Sequence, residues 1–393
     1  MRIGVNCFNL QANMGGLRQY FLRLFRELLE QDVLHTYVFF HGKHNIPELE
    51  PLGTDRWRDS AVLIDSQEDI LPRLAEVDLY FCPFGVLWPR PVPVPSVVTL
   101  VDIQEVFFPQ FFTEQDLWNR AYHYQGSTRS ATEVITISQY SKKTIVEHHR
   151  VSADKVRVVY LAADDYFYGY DSEEVSLDLP PRYIFYPANR WLHKNHDNLL
   201  KALVILRDDF HVRIDCVLTG FDYDAGYPLK AKAQEYGLSE QIRVIGYVGK
   251  KEIKQIYRQA VMLCFPSLFE GFGMPLVEAM AIGCPVVCSN TTSIPEIVGD
   301  AALFFDPHNP RDIAEKIRAL WDNPSLRAML VEAGRKQADK YSVKKLAAGH
   351  LEAFNRAENS FSMSRYRLNR FILEPMHRIN MRRKRYFLQV AGR

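Results

Sequence analysis

The sequence predicts an α/β protein of two domains, each a parallel sheet with crossover helices. Three observations lead there. Short apolar runs alternate with longer amphipathic ones along most of the chain, which is the pattern of strand–helix–strand crossovers. The alternation breaks at DSEEVSLDLPP, residues 171–181, acidic and ending in two prolines, and then restarts, as at a linker. The length, 393 residues, suits two domains with sizeable cores.

In the first half MRIGVNCF reads as a strand. GGLRQYFLRLFRELLEQ follows as a helix, with Leu17, Tyr20, Phe21, Leu24 and Leu28 at helical spacing. YVFFHG, AVLID, DLYFCP, SVVTLVD and EVITIS are further strands. SQYSKKTIVEHH opens on Ser138, a capping residue, and reads as a helix; KVRVVYLAAD closes the half as a strand. Beyond the linker RYIFYPA, VRIDCVLTG, QIRVIGYV, VMLCFPS and CPVVCSN read as strands. HDNLLKALVILRDD, YPLKAKAQEYG, KKEIKQIYRQA, MPLVEAMAIG and PRDIAEKIRALWDN read as the helices between and after them. The expected division is 1–175, 176–355 and a basic helical tail, 356–393. In sheets of this kind ligands bind beyond the carboxyl ends of the strands, so chemistry is expected in the strand-to-helix loops, facing a cleft between the domains.

Composition excludes several classes. With 47% hydrophobic and 24% charged residues, the chain is globular rather than disordered. A net charge of +1 points to no polyanion partner, and no groove-reading module argues for nucleic acid. The charge is uneven, however. From Phe361 onward the bases are Arg365, Arg367, Arg370, Arg378, Arg382, Arg383, Lys384, Arg385 and Arg393, against the single acid Glu374. Within it RINMRRKRYFLQV alternates bases with apolar residues, and either lies on an anionic leaflet or is a solvated basic helix end. The six cysteines form no C-x-x-C pair and sit mostly in apolar runs, as buried thiols of a reducing compartment do. MRIGVNCFNL has no charged segment followed by a long apolar stretch, and no run approaches the ~18 apolar residues of a membrane helix. The expected location is the cytoplasm, with peripheral contact at the inner face of the membrane.

The chemistry concentrates in FEGFGMPLVEAMAIGCP. Glu270 and Glu278 have seven residues between them. Gly271 and Gly273 let backbone approach a ligand, and Pro275 suits the first turn of a helix whose free N–H groups favour a diphosphate. Glu278, one turn in, can accept two hydroxyls such as a ribose offers, or it is only an acid favouring the helix dipole. Lys194, in YPANRWLHKNHDNLLKA, lies between a strand and a helix start, where a cation is disfavoured unless an anion binds.

These motifs resemble those of the retaining glycosyltransferases of the GT-B fold, with two Rossmann-like domains, in the large family 4 that includes sucrose synthase and bacterial mannosyltransferases. FPSLFEGFGMPLVEAMAIGCPVVCSNTTSIPEIVGDAALFFDP carries the E-x7-E spacing, the Gly-Phe-Gly and the PE-x-x-GDAA of that family, and HKNH matches a mannosyltransferase-like subgroup. The resemblance implies a hexosyltransferase that uses a nucleotide-diphosphate sugar, GDP-mannose first and a UDP-sugar next, on a glycan or lipid-linked acceptor, with no metal or other cofactor. It places Glu270 on the donor sugar, the backbone of Gly271, Phe272, Gly273, Met274, Pro275 and Leu276 around sugar and phosphate, and Glu278 on the ribose. It puts Lys194 on the diphosphate. Where the family commonly has an Arg, five positions before this Lys, the chain has Asn189, and Arg190 next to it is expected to take the phosphate role. Gly220 ends a strand on the same cleft. Tyr247 and Val248 stand where the family meets the nucleobase; a buried aromatic at a strand end is the alternative. Gly15 and Gly16 match a Gly-Gly loop that approaches donor phosphate and acceptor; alone, such a pair is a turn. The tail is implied to cross back to the first domain. One departure stands out: where the subgroup has a His before the Asp of SVVTLVDIQEVFFPQFF, this chain has Val101, so that Asp102 or another residue takes over, the donor pocket is altered, or the chain is a weakly active or non-catalytic partner subunit.

Overall fold

A computed structural model describes residues 1–169, 175–221 and 226–391, with side chains as far as Arg382. Residues 171–174 of the expected linker, and the side chains of Arg383, Lys384, Arg385 and Arg393, lie outside the described residues. The chain forms two compact units, Met1–Leu161 with Val343–Arg393, and Ala162–Ser342.

The first unit starts with β1 (Arg2–Asn6), α1 (Gly16–Gln31), β2 (Thr36–His41), β3 (Ala61–Leu63), β4 (Leu79–Cys82) and β5 (Ser96–Thr99). It continues with α2 (Glu114–Ser130), β6 (Glu133–Thr136), α3 (Gln139–His149) and β7 (Val156–Val158). Every pairing is parallel, in the order β3-β2-β1-β4-β5-β6-β7. The central strands are buried on both faces, which is why they read as unbroken apolar runs. Helix α1 turns Tyr20, Phe21, Leu24, Phe25 and Leu28 onto the sheet. There Phe25 meets Phe39 edge-on and Phe81 at a tilt; burying each such ring contributes roughly 1.5–3 kcal/mol.

The second unit holds β8 (Tyr183–Pro187), α4 (His196–Asp208), β9 (Asp215–Thr219), α5 (Leu229–Glu235), β10 (Ile242–Gly246), α6 (Lys250–Gln259) and β11 (Met262–Phe265). Then come α7 (Met274–Ile282), β12 (Val286–Ser289), β13 (Ala302–Phe305), α8 (Pro310–Trp321) and α9 (Pro324–Ala338). The sheet is again parallel throughout, ordered β10-β9-β8-β11-β12-β13.

After the second unit the chain rejoins the first as α10 (Val343–Ser360). The helix buries Leu346, Ala347, His350, Ala353, Phe354 and Ala357, one stripe at helical spacing. His350 lies 2.8 Å from the Leu346 carbonyl through Nδ1 and 2.6 Å from the Tyr20 hydroxyl through Nε2. A carbonyl can only accept, so Nδ1 carries the proton and Nε2 accepts from Tyr20. Tyr20 in turn lies 2.9 Å from Thr99 Oγ1, completing a buried chain from α10 through α1 to β5. Residues 363–391 follow as a helical arm against α2, with a π-helical turn at Asn369–Leu373. All six cysteines are buried and unpaired, as expected. No described helix is long and apolar enough to cross a membrane.

Candidate functional site

Each sheet reverses its strand order at one place, between β1 and β4 in the first unit and between β8 and β11 in the second. Loops leaving the carboxyl ends there diverge and open a crevice. The candidate residues gather in these loops or the ones beside them.

In the second unit Lys194 and Glu270 meet. Lys194 ends a tight turn (Leu192–Lys194) after β8, Glu270 lies beyond the end of β11, and Lys194 Nζ is 2.6 Å from Glu270 Oε1. Both side chains are largely buried, 18% and 11% exposed, so the pair is shielded more than a surface ion pair and still reaches solvent. Asn195 sets its position. This residue is left-handed, φ 61°, and its amide donates to the carbonyls of Pro266 and Pro307 at 2.9 and 2.8 Å, which ties the Lys194 turn to the ends of β11 and β13. Tyr186 donates to the Lys194 carbonyl at 2.8 Å, and the Leu268 amide to that of His193 at 2.8 Å. On the other side the Glu270 amide donates to Thr292 Oγ1, and its carbonyl accepts from Ser293 Oγ at 2.9 Å. Burial, reinforced by the neighbouring Lys194, pushes His193 down to about 2 and His196 to about 3. Both histidines of HKNH are therefore neutral, and the cation beside Glu270 is Lys194.

After Glu270 the chain turns into α7. Gly273 has φ 95°, and a Cβ there would lie 2.8 Å from Leu276 Cδ1, so glycine is required. Pro275 sits in the first turn. Phe272 and Leu276 have buried side chains, Phe272 edge-on to Tyr341, so they can offer a ligand only their backbone. Gly271 is buried; Met274 and Pro275 are half-buried. The N-terminal N–H groups of α7 thus follow directly on the Lys194–Glu270 pair, and a helix start attracts anions. Glu278, one turn on, accepts from the Tyr257 hydroxyl at 3.2 Å. Burial first, then the Glu278 carboxylate, raise that hydroxyl well above its ordinary range and keep it a donor.

Around this centre, Arg190 is half-buried and its carbonyl accepts from the Tyr227 amide at 2.6 Å. Asn189 accepts from the Phe221 amide at 2.9 Å, so in place of a cation it anchors the loop after β9. That loop needs Gly220: φ is 132°, and a Cβ would lie 2.7 Å from the Ala188 carbonyl oxygen. Tyr247 is not the buried aromatic of the alternative reading. It is 69% exposed and stacks on the exposed Phe221, centroids 4.4 Å apart at 20°, while Val248 beside it is half-buried. An aromatic left in water beyond the strand ends presents a flat apolar surface that no core contact explains.

In the first unit Gly15 caps the start of α1 after β1, and Gly16 is the first residue of that helix. Gly15 has φ 53°, and no heavy atom comes within 4 Å of a Cβ built at either glycine. Packing therefore does not demand the pair, and both backbones border open space. Beyond β5 the Val101 carbonyl accepts from Thr136 Oγ1 at 3.2 Å, and Asp102 Oδ1 from the Gln104 amide at 3.1 Å. Glu105, one turn further, is buried, 3.5 Å from Arg120 Nη1, and burial pushes its carboxyl up to about 7.

Sequence reasoning missed Asn195, Thr292, Ser293, Phe221 and Glu105. Asn before a helix and the TTS before IPE were readable as turn and cap signals. Glu105 and Phe221 carry no such signal, because their burial and stacking come from elements distant in sequence.

The family described as Glycosyl transferases group 1 matches residues 171–337. O-antigen chain mannosyltransferase B of Escherichia coli is 30% identical over 256 residues, covering 63% of this chain and 66% of its own length. MMP alpha-(1->4)-mannosyltransferase of Mycolicibacterium hassiacum is 27% identical over 233 residues, covering 58% of this chain and 55% of its own. The chain thus spans two thirds or less of the length of these curated relatives. Among solved structures, Anabaena Alr3699/HepE in complex with UDP and glucose superposes with a TM-score of 0.73 at 18% identity, over 90% of this chain and 99% of that one. WaaG, a glycosyltransferase involved in lipopolysaccharide biosynthesis, gives 0.67 at 16%, over 90% and 99%. Residues 171–337 thus carry a Glycosyl transferases group 1 domain, and the two parallel-sheet units have the GT-B fold.

Proposed function

We propose that the chain is a retaining hexosyltransferase that moves a mannose-type sugar from a nucleotide-diphosphate sugar to a glycan or lipid-linked acceptor in polysaccharide synthesis. The observation that carries this is the Lys194–Glu270 pair at the β8/β11 reversal, with the start of α7 directly behind it. A cation and a helix N-terminus side by side suit a diphosphate leaving group, and the adjacent carboxylate suits sugar hydroxyls. Arg190 adds positive charge. Glu278, held by the Tyr257 hydroxyl, offers its carboxylate to ribose hydroxyls. Tyr247, on Phe221, offers its face to the base. These groups supply the charge stabilisation that a metal would otherwise provide, so the reading needs no metal or other cofactor.

In the reaction the bond from the anomeric carbon to the diphosphate oxygen breaks and a bond to the acceptor hydroxyl oxygen forms on the same face. The acceptor proton passes to the departing phosphate oxygen, so no protein base is needed. Lys194 meets the charge that grows on that oxygen, in a fixed and largely dry position where such a contact counts most. Gly15 and Gly16 bring backbone toward phosphate or acceptor, and Asp102 orients the sugar side in the absence of a His at Val101.

Relatives named as mannosyltransferases support a mannose-type sugar. A GDP-linked donor follows from it, with a UDP-sugar as the alternative. Six buried thiols support a reducing, cytoplasmic setting. A second reading, a weakly active or non-catalytic partner subunit, is favoured by Val101 alone. A thermal-shift screen of GDP-, UDP- and dTDP-sugars, followed by donor hydrolysis, tests both. A stabilising donor that is also hydrolysed supports the enzyme. Binding without turnover on any acceptor supports the partner subunit, and no affinity for any nucleotide sugar overturns the enzyme.

A further inference from the structure

The helical arm of residues 363–382 turns an apolar strip outward. Phe371 is 68% exposed, and Ile372, Met376 and Ile379 are each at least half exposed. The opposite side is fixed to the first unit. Asn369, Glu374, His377 and Met381 are buried, and their spacing is that of one helical face. Trp118 Nε1 of α2 donates to the Met381 carbonyl at 3.2 Å, and the His377 ring stacks on Tyr122 with Nε2 donating to its carbonyl at 3.0 Å. Glu374 accepts from Arg90 Nε at 3.2 Å, and the Arg90 side chain is wholly buried. These contacts set the rotation of the arm. Single exposed apolar residues are ordinary, whereas a contiguous strip on a rotationally fixed helix marks an interaction surface.

Charge identifies what the strip meets. Arg365, Arg367, Arg370, Arg378 and Arg382 are exposed along it, and the one carboxylate of the arm, Glu374, is turned inward. Beneath the arm a cavity of about 520 Å³ is lined by Arg129, Arg150, Lys155 and Arg365, with Leu373 and Met376 at the arm side. Glu374 also borders it, already bound to Arg90 and Arg378. Lys155 is buried with its ammonium on the Arg129 carbonyl at 2.8 Å. Burial, with Arg365 beside it, pulls that amine down to about 7, a cost that a bound anion relieves. A second copy of the chain on this face would set arginine against arginine. An anionic lipid surface satisfies both features, because apolar side chains enter the headgroup boundary while phosphates meet the guanidinium groups.

We propose that residues 363–382 and the cavity lined by Arg129, Arg150, Lys155 and Arg365 form a docking surface for an anionic phospholipid bilayer, with a headgroup phosphate held in the cavity. The inference is independent of the donor and of the reaction.

The test is co-sedimentation of the full chain with vesicles of phosphatidylcholine alone and of equimolar phosphatidylcholine and phosphatidylglycerol. Binding is expected on the anionic vesicles only, and is expected to weaken with salt. The exposed triple variant Phe371→Ser/Ile372→Ser/Met376→Ser is expected to lose at least tenfold in partitioning. Arg129→Gln/Arg150→Gln is expected to lose about fivefold per charge removed. Both are expected to keep the unfolding midpoint and donor hydrolysis of the parent. Equal partitioning onto both vesicles, or a triple variant that binds like the parent, overturns the proposal. So does a concentration-dependent dimer abolished by the triple variant, which assigns the strip to a second copy. Saturation of the cavity by inorganic phosphate, with no vesicle binding, assigns it to a small anion and overturns the lipid reading.

Discussion

Lys194 Nζ stands 2.6 Å from a carboxylate oxygen of Glu270, 76 positions later in the chain. Neither residue makes this contact by local geometry. The Asn195 amide brackets one partner by bonding the ends of β11 and β13, and Thr292 with Ser293 brackets the other. The pair is held before any ligand arrives, which is the condition for electrostatic catalysis without reorganisation.

Lys194→Ala is therefore expected to lower donor turnover by two to three orders of magnitude, about 3–4 kcal/mol of transition-state stabilisation. It also strands the largely buried Glu270, so the unfolding midpoint is expected to fall by a few degrees. Lys194→Ala/Glu270→Gln removes the stranded charge and is expected to recover the midpoint but not the turnover. Initial rates and thermal unfolding measured side by side check both. Activity near that of the parent in Lys194→Ala removes the phosphate role.

Two glycines separate scaffold from site. Gly220→Ala places a Cβ 2.7 Å from the Ala188 carbonyl oxygen at φ 132°, and is expected to destabilise the second unit by at least about 1–3 kcal/mol. Gly16→Ala meets no heavy atom within 4 Å and starts a helix, so stability is expected to hold or rise by up to about 1 kcal/mol. Its activity is expected to drop at least tenfold, because the added methyl occupies the space that the proposed ligand needs. Urea unfolding with paired rate measurements decides. A Gly16→Ala enzyme of full activity leaves the pair a mere turn.

The alternation of apolar runs made both parallel sheets legible, since a strand buried on two faces has no other way to read. The same pattern says nothing of strand order, so that β8 neighbours β11, and that Lys194 thereby meets Glu270, was not available from it. Motif spacing found Glu270, Glu278 and the Gly-Phe-Gly turn because they lie within one loop and one helix turn. It missed Asn195, whose role lies in bonds to Pro266 and Pro307, and Glu105, whose shift comes from burial by distant segments. Tyr247 was placed at its strand end, while its exposure depends on Phe221 beyond a different strand. In the arm, helical spacing divides Phe371 and Met376 from Glu374 and His377, but periodicity cannot tell which side faces water.

Tyr247→Ala tests the exposed stack. At 69% exposure the truncation is expected to leave stability within about 0.5 kcal/mol. Loss of a base-stacking face costs on the order of 1–3 kcal/mol, so KM for the donor is expected to rise about tenfold or more. If binding is uniform between ground and transition state, kcat stays near that of the parent. A Tyr247→Phe variant keeps the face and is expected to behave like the parent. Unchanged donor KM in Tyr247→Ala would place the base elsewhere.

Acid lability follows from the buried histidines. Burial pushes His123, His149 and His350 down to about 4, His196 to about 3 and His193 to about 2, from an ordinary 6.5. Below pH 6.5 the unfolded chain takes up protons at these sites that the folded chain refuses. Stability therefore falls as pH drops from about 6.5 toward 4, by at most about 1.4 kcal/mol per pH unit for each histidine. Glu105 works the other way. Its carboxyl, raised from 4.5 to about 7, binds a proton in the folded chain first, so its contribution improves as pH falls from 7 to 4.5. Burial raises the Glu133 carboxyl in the same direction, but five histidines outweigh two carboxyls, and the denaturant midpoint is expected to be clearly lower at pH 5 than at pH 7. Glu105→Gln removes one opposing group and is expected to steepen the decline between these values. A midpoint that is flat or rises on acidification would show that these imidazoles are protonated in the folded chain.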